Sequence, residues 1–217
     1  MKIQSICCHG LQIKRGEDTT NLVTVLERAQ DTAKTNSVAT LVITHDTLDL
    51  QSLPQKLVFK EKRERQDGML PDLEIDAYTK LASLQGRYIP RYYGEAILLL
   101  EDKSYKGIVL EFVDGYLLSE LRVEETNTTH IAHSARTAIE EISKFGIVHC
   151  DPKPDNLILT KSNAVMVFDF DVCEIKADDK ETTRINLSDL YEKLCDAGFV
   201  GWEDFDLNVF GKGGEER

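Results

Sequence analysis

The sequence predicts an α+β fold, sheet-rich in its first half and helical in its second. Three observations carry this. Short β-type apolar runs crowd the segment before residue 113, 3.6-residue periodicity dominates after it, and a short connector at Asp114–Gly115 separates the two. Strands first and helices second, joined by a connector, describe two lobes around a cleft rather than one interleaved layer structure.

Residues 1–56 carry the weakest pattern. Runs such as Leu22–Leu26 and Leu41–Thr44 are β-type and lie between polar stretches rich in Thr, Asp and Asn. From Lys56 the pattern sharpens. Leu57–Lys60 reads as a strand, and the charged run after it reads as a solvated loop. Pro71 marks a helix start, with Asp72 and Glu74 in the first turn, where negative charge suits the helix dipole. Leu73, Ala77, Leu81 and Leu84 then share one apolar face. YIPRYYGEAILLL and YKGIVLEFV read as two antiparallel strands around the acidic turn EDKSYKG. Thr128–Phe145 is a predicted helix with Ile131, Ala135, Ala138, Ile139 and Ile142 on one side, capped by Gly146. IVH, LIL and AVMVFDF follow as strands, and a last helix is expected over Leu187–Ala197, ending at Gly198.

Composition narrows the function classes. Of 217 residues, 41% are hydrophobic and 29% charged, ordinary for a globular protein, and that length needs no disulfide or metal staple. A net charge of −12 argues against nucleic acid, whose phosphates are bound by displacing counterions with Lys and Arg. No apolar run approaches the ~20 residues of a membrane span. The five cysteines form no CxxC pair, so a structural zinc site is not expected and reduced thiols in the cytoplasm, or the nucleus, are. His130 and His133, and Cys7–Cys8–His9, are read as surface and strand residues rather than metal sites, since neither set has a further ligand.

Residues 149–156, HCDPKPDN, carry the chemistry. Phosphoryl transfer from a nucleotide needs a cation on the phosphates, oxygen ligands for Mg²⁺ and a carboxylate beside the attacking hydroxyl. Asp151 suits the last role, as acceptor of the substrate proton. Lys153 can neutralise charge on the transferring group. Asn156 offers a neutral oxygen to a hard metal, and Asp169, at a strand end in FDFD, is a natural principal metal carboxylate.

HCDPKPDN resembles the protein-kinase catalytic loop H-R-D-x-K-x-x-N, and Asp169–Asp171 resembles D-F-G. LVFK at 57–60 is similar to the strand motif V-A-I-K. The resemblance, over about residues 56–175, implies Lys60 as the α/β-phosphate lysine and Glu74 as its ion-pair partner. It further implies Leu110 as gatekeeper in IVLEFVDG, with Glu111 and Val113 giving backbone contacts to adenine. The phrases YTKLASLQGRYIPRYYG and VMVFDFD look most like small, divergent protein-kinase-like proteins of fungi. The implied cofactors are ATP and Mg²⁺, with a protein substrate or a regulatory protein as partner. The expected plan is an N-lobe over 1–110, atypical in 1–56, a hinge over 111–115, a shortened C-lobe over 116–210 and a polar tail over 211–217.

Four departures from the family pattern bear on function. No G-x-G-x-x-G precedes Lys60, and the nearest upstream glycine is Gly16. Cys150 stands in place of Arg, so control through a phosphorylated activation loop is not expected. Asp171 replaces the Gly of D-F-G. Only 46 residues follow Asp171, without A-P-E. Two functions stay open: an atypical, minimal serine/threonine kinase, and a pseudokinase that senses nucleotide or binds a partner without transfer. Autophosphorylation at Ser162, Thr182, Thr183 or Ser188 belongs to the first.

Overall fold

The computed structural model describes residues 4–7, 10–15, 18–28, 38–45, 53–54, 56–62, 73–100, 103–177 and 179–200. The predicted helix start at Pro71 and Asp72, the charged run after Lys62 and the polar tail lie outside them. Two compact units are present, one of residues 1–70 and 90–112, the other of residues 71–89 and 113–217.

The first unit is built from antiparallel strands. In chain order these are β1 (Gln4–Cys7), β2 (Gly10–Arg15), β3 (Asp18–Arg28), β4 (Val38–His45), β5 (Lys56–Glu61), β6 (Tyr92–Leu100) and β7 (Lys103–Glu111). Their pairing runs β1-β3-β2-β6-β7-β5-β4, and β4 pairs again with β3. Six strands therefore form a closed ring, β3 to β2, β6, β7, β5, β4 and back, with β1 added beside β3. Closure leaves the ring without an open edge. One face of alternate residues fills it: Leu11 and Ile13 of β2, Leu57 and Phe59 of β5, Ala96 and Leu98 of β6, and Val109 of β7. Gly107 faces Glu61 and Ala96 across the sheet. A Cβ there would lie 2.3 Å from the Lys60 carbonyl oxygen and 2.6 Å from the Phe59 ring, so the position admits only glycine.

The expected β-type runs at 22–26 and 41–44 fall inside β3 and β4. β1 and β2 carried too little alternation in sequence to be read, because β2 holds only two inward positions, Leu11 and Ile13.

In the second unit, α1 (Leu73–Lys80) is followed by a 3₁₀ turn at Ala82–Leu84, with Leu81 and Leu84 still buried. β8 (Gly115–Leu117) pairs with β10 (Leu157–Thr160), which pairs with β11 (Val165–Val167). β8 replaces the immediate change to helix expected after Gly115. α2 (Thr128–Ser143) begins at Asn127, whose side-chain oxygen accepts the His130 N–H at 3.0 Å. Its apolar stripe, Ile131, Ala135, Ala138, Ile139 and Ile142, is buried as the periodicity requires. Gly146, at φ +68, ends the helix in the left-handed region, and its carbonyl accepts Lys176 N–H at 2.7 Å. β9 (Ile147–Val148) pairs with β12 (Glu174–Ile175).

α3 runs Asp179–Asp196, eight residues earlier than the expected start at Leu187. Its first two turns are polar and carry no apolar stripe. They are helical because Thr182 and Asn186 occupy buried positions there with polar side chains, which a hydrophobic pattern cannot report.

Candidate active site

Local backbone chemistry shapes the loop at 149–156. Pro154 opens a 3₁₀ turn over Pro154–Asn156, where its missing N–H and fixed φ cost nothing. Lys153 N–H donates to the Asp151 carbonyl at 2.9 Å, and Asn156 N–H to the Lys153 carbonyl at 2.8 Å. The loop thus curls so that three of the predicted residues meet. Lys153 Nζ donates to Asp151 Oδ2. Asn156 Nδ2 donates to the same Oδ2 at 3.2 Å and to the Asp151 carbonyl at 2.9 Å. The hydrogen bond to Asp151 raises the Lys153 pKa against a smaller desolvation effect, so the ammonium stays charged.

His149 ties this loop to the segment after β11 that carries Asp169; the strand expected over AVMVFDF stops at Val167. It is fully buried, and burial lowers its pKa. The Phe168 carbonyl, 2.9 Å from Nε2, can only accept, so Nε2 carries the proton. Nδ1 is then the acceptor for the Asp151 backbone N–H at 3.3 Å. A neutral imidazole therefore braces Asp151 on one side and the residue before Asp169 on the other. Cys150 and Asp169 both adopt positive φ, +64 and +71, which non-glycine residues hold only where their surroundings impose it.

Phe170 packs beneath this brace. Its ring lies 4.9 Å from the His149 ring and meets Tyr78 of α1 edge-on at 5.3 Å. Tyr78 is wholly buried, and its pKa is raised by desolvation first, then by the charges of Glu74 and Asp169. Glu74, one turn before Tyr78 on α1, is itself only 8% exposed. Glu74, Asp169 and the loop at 149–156 thus belong to the same compact unit. Asp171 sits half-buried in the turn after Phe170.

In the first unit Lys60 lies on β5 between Val38 of β4 and Ile108 of β7. Leu110 is buried on β7 opposite Val58 and Tyr92. Glu111 N–H donates to the Arg91 carbonyl at 2.8 Å, so any backbone contact from Glu111 to a ligand is left to its carbonyl. Val113, which opens the second unit's later segment, is half-buried.

One expectation needs correction: Thr182 is fully buried, which removes it as a phosphate acceptor in the folded chain. The Cys150 thiol pKa is raised, by desolvation first and then by Glu174. His130 Nε2 lies 2.7 Å from the Asn163 carbonyl, and among the described residues no group of three His, Cys, Asp or Glu is placed to hold a metal ion.

Sequence reasoning missed Asn186. Its Oδ1 accepts the His149 N–H at 2.8 Å, and its Nδ2 donates to Ser143 Oγ and the Ile147 carbonyl, each at 2.8 Å. It lies in the first turns of α3, ahead of the helix expected from Leu187, where the sequence carries no apolar stripe to reveal a buried position.

Residues 37–192 match the protein kinase domain, well over half of the chain. A probable serine/threonine-protein kinase of Streptomyces coelicolor, SCO3848, is 32% identical over 102 residues, 45% of this chain and 15% of that protein. The serine/threonine-protein kinase KIN4 of Saccharomyces cerevisiae is 28% identical over 124 residues, 54% of this chain and 15% of that protein. A probable serine/threonine-protein kinase of Clostridium acetobutylicum, CA_C1728, is 27% identical over 73% of this chain and 22% of its own length. The chain thus spans a minor part of the length of these relatives. Among solved structures, the Cydia pomonella granulovirus kinase PK-1 aligns with a TM-score of 0.46 and 18% identity, over 65% of this chain and 49% of that one. The chain belongs to the protein kinase family.

Proposed function

We propose that this domain transfers the γ-phosphoryl group of ATP, with Mg²⁺, to a serine or threonine hydroxyl of a protein, as an atypical kinase of minimal type. The observation that carries the reading is the triple contact on one loop. Lys153 and Asn156 both hold Oδ2 of Asp151. Neither contact uses Oδ1, the atom we assign to take the proton of the acceptor hydroxyl.

The donor set suits a hard cation. The Asn156 amide nitrogen is committed to Asp151, which leaves its oxygen, with the Asp169 carboxylate, as the metal ligands of this reading. Mg²⁺ bound there would neutralise charge on the phosphates. Lys153, kept cationic by its carboxylate partner, would offset charge on the transferring group. Lys60 is assigned to the α/β-phosphates and Glu74 to Lys60. Leu110, Glu111 and Val113 are assigned to adenine. A cytoplasmic or nuclear setting fits the reduced thiols of Cys150 and Cys173. Among the described residues no helix is long and apolar enough to cross a membrane.

One observation favours the second reading, a pseudokinase that senses nucleotide or binds a partner. The residues joining β3 to β4, 29–37, read AQDTAKTNS and include no glycine to bring backbone N–H groups over phosphates. Thermal unfolding with ATP, with and without Mg²⁺, separates the two when paired with a γ-phosphate transfer assay. Ligand at 100 times its Kd should add about 2.7 kcal/mol of stability. Asp169→Asn should abolish the Mg²⁺-dependent part. Absence of any shift would reject the nucleotide site, and a shift without transfer would leave the sensor.

A further inference from the structure

We propose that the cavity between the first half of α2 and the end of α3 docks an acidic–apolar peptide segment of a protein partner. Arg136 takes a carboxylate of that segment, and the floor beside it takes the neighbouring apolar side chain. No residue of the loop at 149–156 lines this cavity, and docking there does not depend on phosphoryl transfer.

The cavity follows from how α3 ends and what α2 presents to it. Gly198, at φ +79, turns the chain back after α3. Its N–H donates to the Cys195 carbonyl at 2.9 Å, and the Phe199 N–H donates to the Leu194 carbonyl at 2.8 Å. This cap folds Phe199 inward, where it is buried. Across from it, Thr128, Ala132 and Arg136 recur every four residues and form a second face of α2, beside the buried stripe. Ala132 is the smallest side chain on that face, and the space beside it stays open. The result is a cavity of about 460 Å³. Its walls come from Ala132, His133 and Arg136 on α2, Tyr191 on α3, and Phe199 and Val200 beyond it. Ligand sites commonly span roughly 300–1,000 Å³.

Arg136 sets the charge of the ligand. Glu140, one turn on, accepts from Nε at 2.8 Å, and the Tyr191 hydroxyl lies 3.4 Å from Nη1. Nη2 meets no hydrogen-bond partner among the described residues. The edge formed by Nη1 and Nη2 is therefore open to a second carboxylate, in the two-bonded form that the planar guanidinium favours. Glu140 already balances the cation, so the site suits a single negative charge. A phosphate carrying about −1.5 to −2 would be left partly uncompensated. The charge of the whole chain, −12, sharpens this choice. It repels a long acidic run, but salt at about 0.15 M screens that repulsion beyond about 8 Å, so one or two carboxylates seated on Arg136 are tolerated. Ala132, Phe199 and Val200 supply the apolar half. Thr129, His133 and Gly198 also line the cavity and are exposed, so a chain can cross its mouth. An extended peptide points residues two apart to the same side, which makes acid–x–apolar the expected motif.

Fluorescence anisotropy on the full chain tests this with the fluorescein-labelled peptide Gly-Ser-Glu-Ser-Phe-Ser-Gly and its twin carrying Gln for Glu. The Glu peptide should bind saturably, and the Gln peptide at least about 10-fold more weakly, the scale of a lost charge-assisted hydrogen bond. Arg136→Gln should weaken the Glu peptide by a similar factor and the Gln peptide little, since the two changes remove one shared contact. Glu140→Gln, which takes away the carboxylate already on Arg136, should tighten the Glu peptide by about 2–5-fold. Ala132→Trp, which fills the cavity, should abolish binding of both. No saturable binding of the Glu peptide, or equal binding of the two peptides, would overturn the proposal without any variant. So would Arg136→Gln, folded by circular dichroism, that binds the Glu peptide within about 2-fold of the wild type. Displacement by 3-phenylpropionate as effective as by unlabelled peptide would overturn peptide docking in favour of a small carboxylate.

Discussion

The side-chain amide of Asn156 reaches back five residues to Asp151, meeting its carbonyl oxygen at 2.9 Å and its carboxylate at 3.2 Å. A neutral donor thus holds the carboxylate in place without taking its charge, while Lys153 approaches the same oxygen. Asp151→Asn should therefore lower kcat by 10²–10⁴-fold, the usual range for loss of a general base, and leave ATP affinity nearly unchanged. Single-turnover transfer and equilibrium nucleotide binding, measured on the same preparation, check both halves. Retained transfer would assign the proton to another group.

Asn156→Ala separates the two roles given to that residue. It removes both contacts to Asp151 and one metal ligand of the proposed site. The Mg²⁺ concentration for half-maximal transfer should rise, and kcat should fall at saturating Mg²⁺. A change in kcat alone would limit Asn156 to holding Asp151.

Gly107 should resist substitution for a reason unrelated to catalysis. In Gly107→Ala the new methyl would meet the Lys60 carbonyl and the Phe59 ring inside the closed strand ring. Overpacking of this kind costs about 1–3 kcal/mol. Urea unfolding should show that loss in midpoint with an unchanged m-value. Since Lys60 is the residue crowded, its β5 strand would shift, and ATP affinity should fall with stability.

Cys173 gives a pH signature. Burial is the main cause that lifts its thiol pKa from the ordinary 9.0 to about 12. Its Sγ lies 3.6 Å from the Leu73 carbonyl, to which the thiol donates. The folded state then holds the proton more tightly than the unfolded chain. This contribution is complete below pH 9 and is lost as pH rises from 9 toward 12, because the unfolded thiol ionises first. Between pH 8 and 10.5 the wild type should lose more stability than Cys173→Ala, by denaturant midpoints at each pH. Equal losses would mean that the thiol is not held protonated.

Self-phosphorylation, if measured by mass spectrometry on the active chain, should spare Thr182, which is fully buried. Ser162 and Ser188 are exposed and Thr183 half-buried. Phosphate on Thr182 in folded protein would show that α3 opens during turnover.

Much of this was legible beforehand because its signals were local. The apolar stripe of α2 repeats every three to four residues and lands on Ile131, Ala135, Ile139 and Ile142, all buried. The spacing of Asp151, Lys153 and Asn156 fits one tight turn, and they meet in one. β1 and β2 were not legible: β2 runs directly into β3 but its other edge is taken by β6, far along the chain, and β1 pairs with β3 past β2, and such pairing leaves little mark on composition. The start of α3 was misplaced because buried polar residues break the hydrophobic pattern that marks a helix.

By itself the sequence determined the residue types and order of the 149–156 loop and the division into a strand-rich and a helical part, because short-range spacing and periodicity encode these. Only tertiary structure decided that the first unit closes on itself through β2. It alone decided that Thr182 is sealed from solvent and that Asn186, thirty-seven residues from His149, holds that histidine by a single amide. Closure, burial and long-range hydrogen bonds depend on which surfaces meet, and no window of the chain contains both partners.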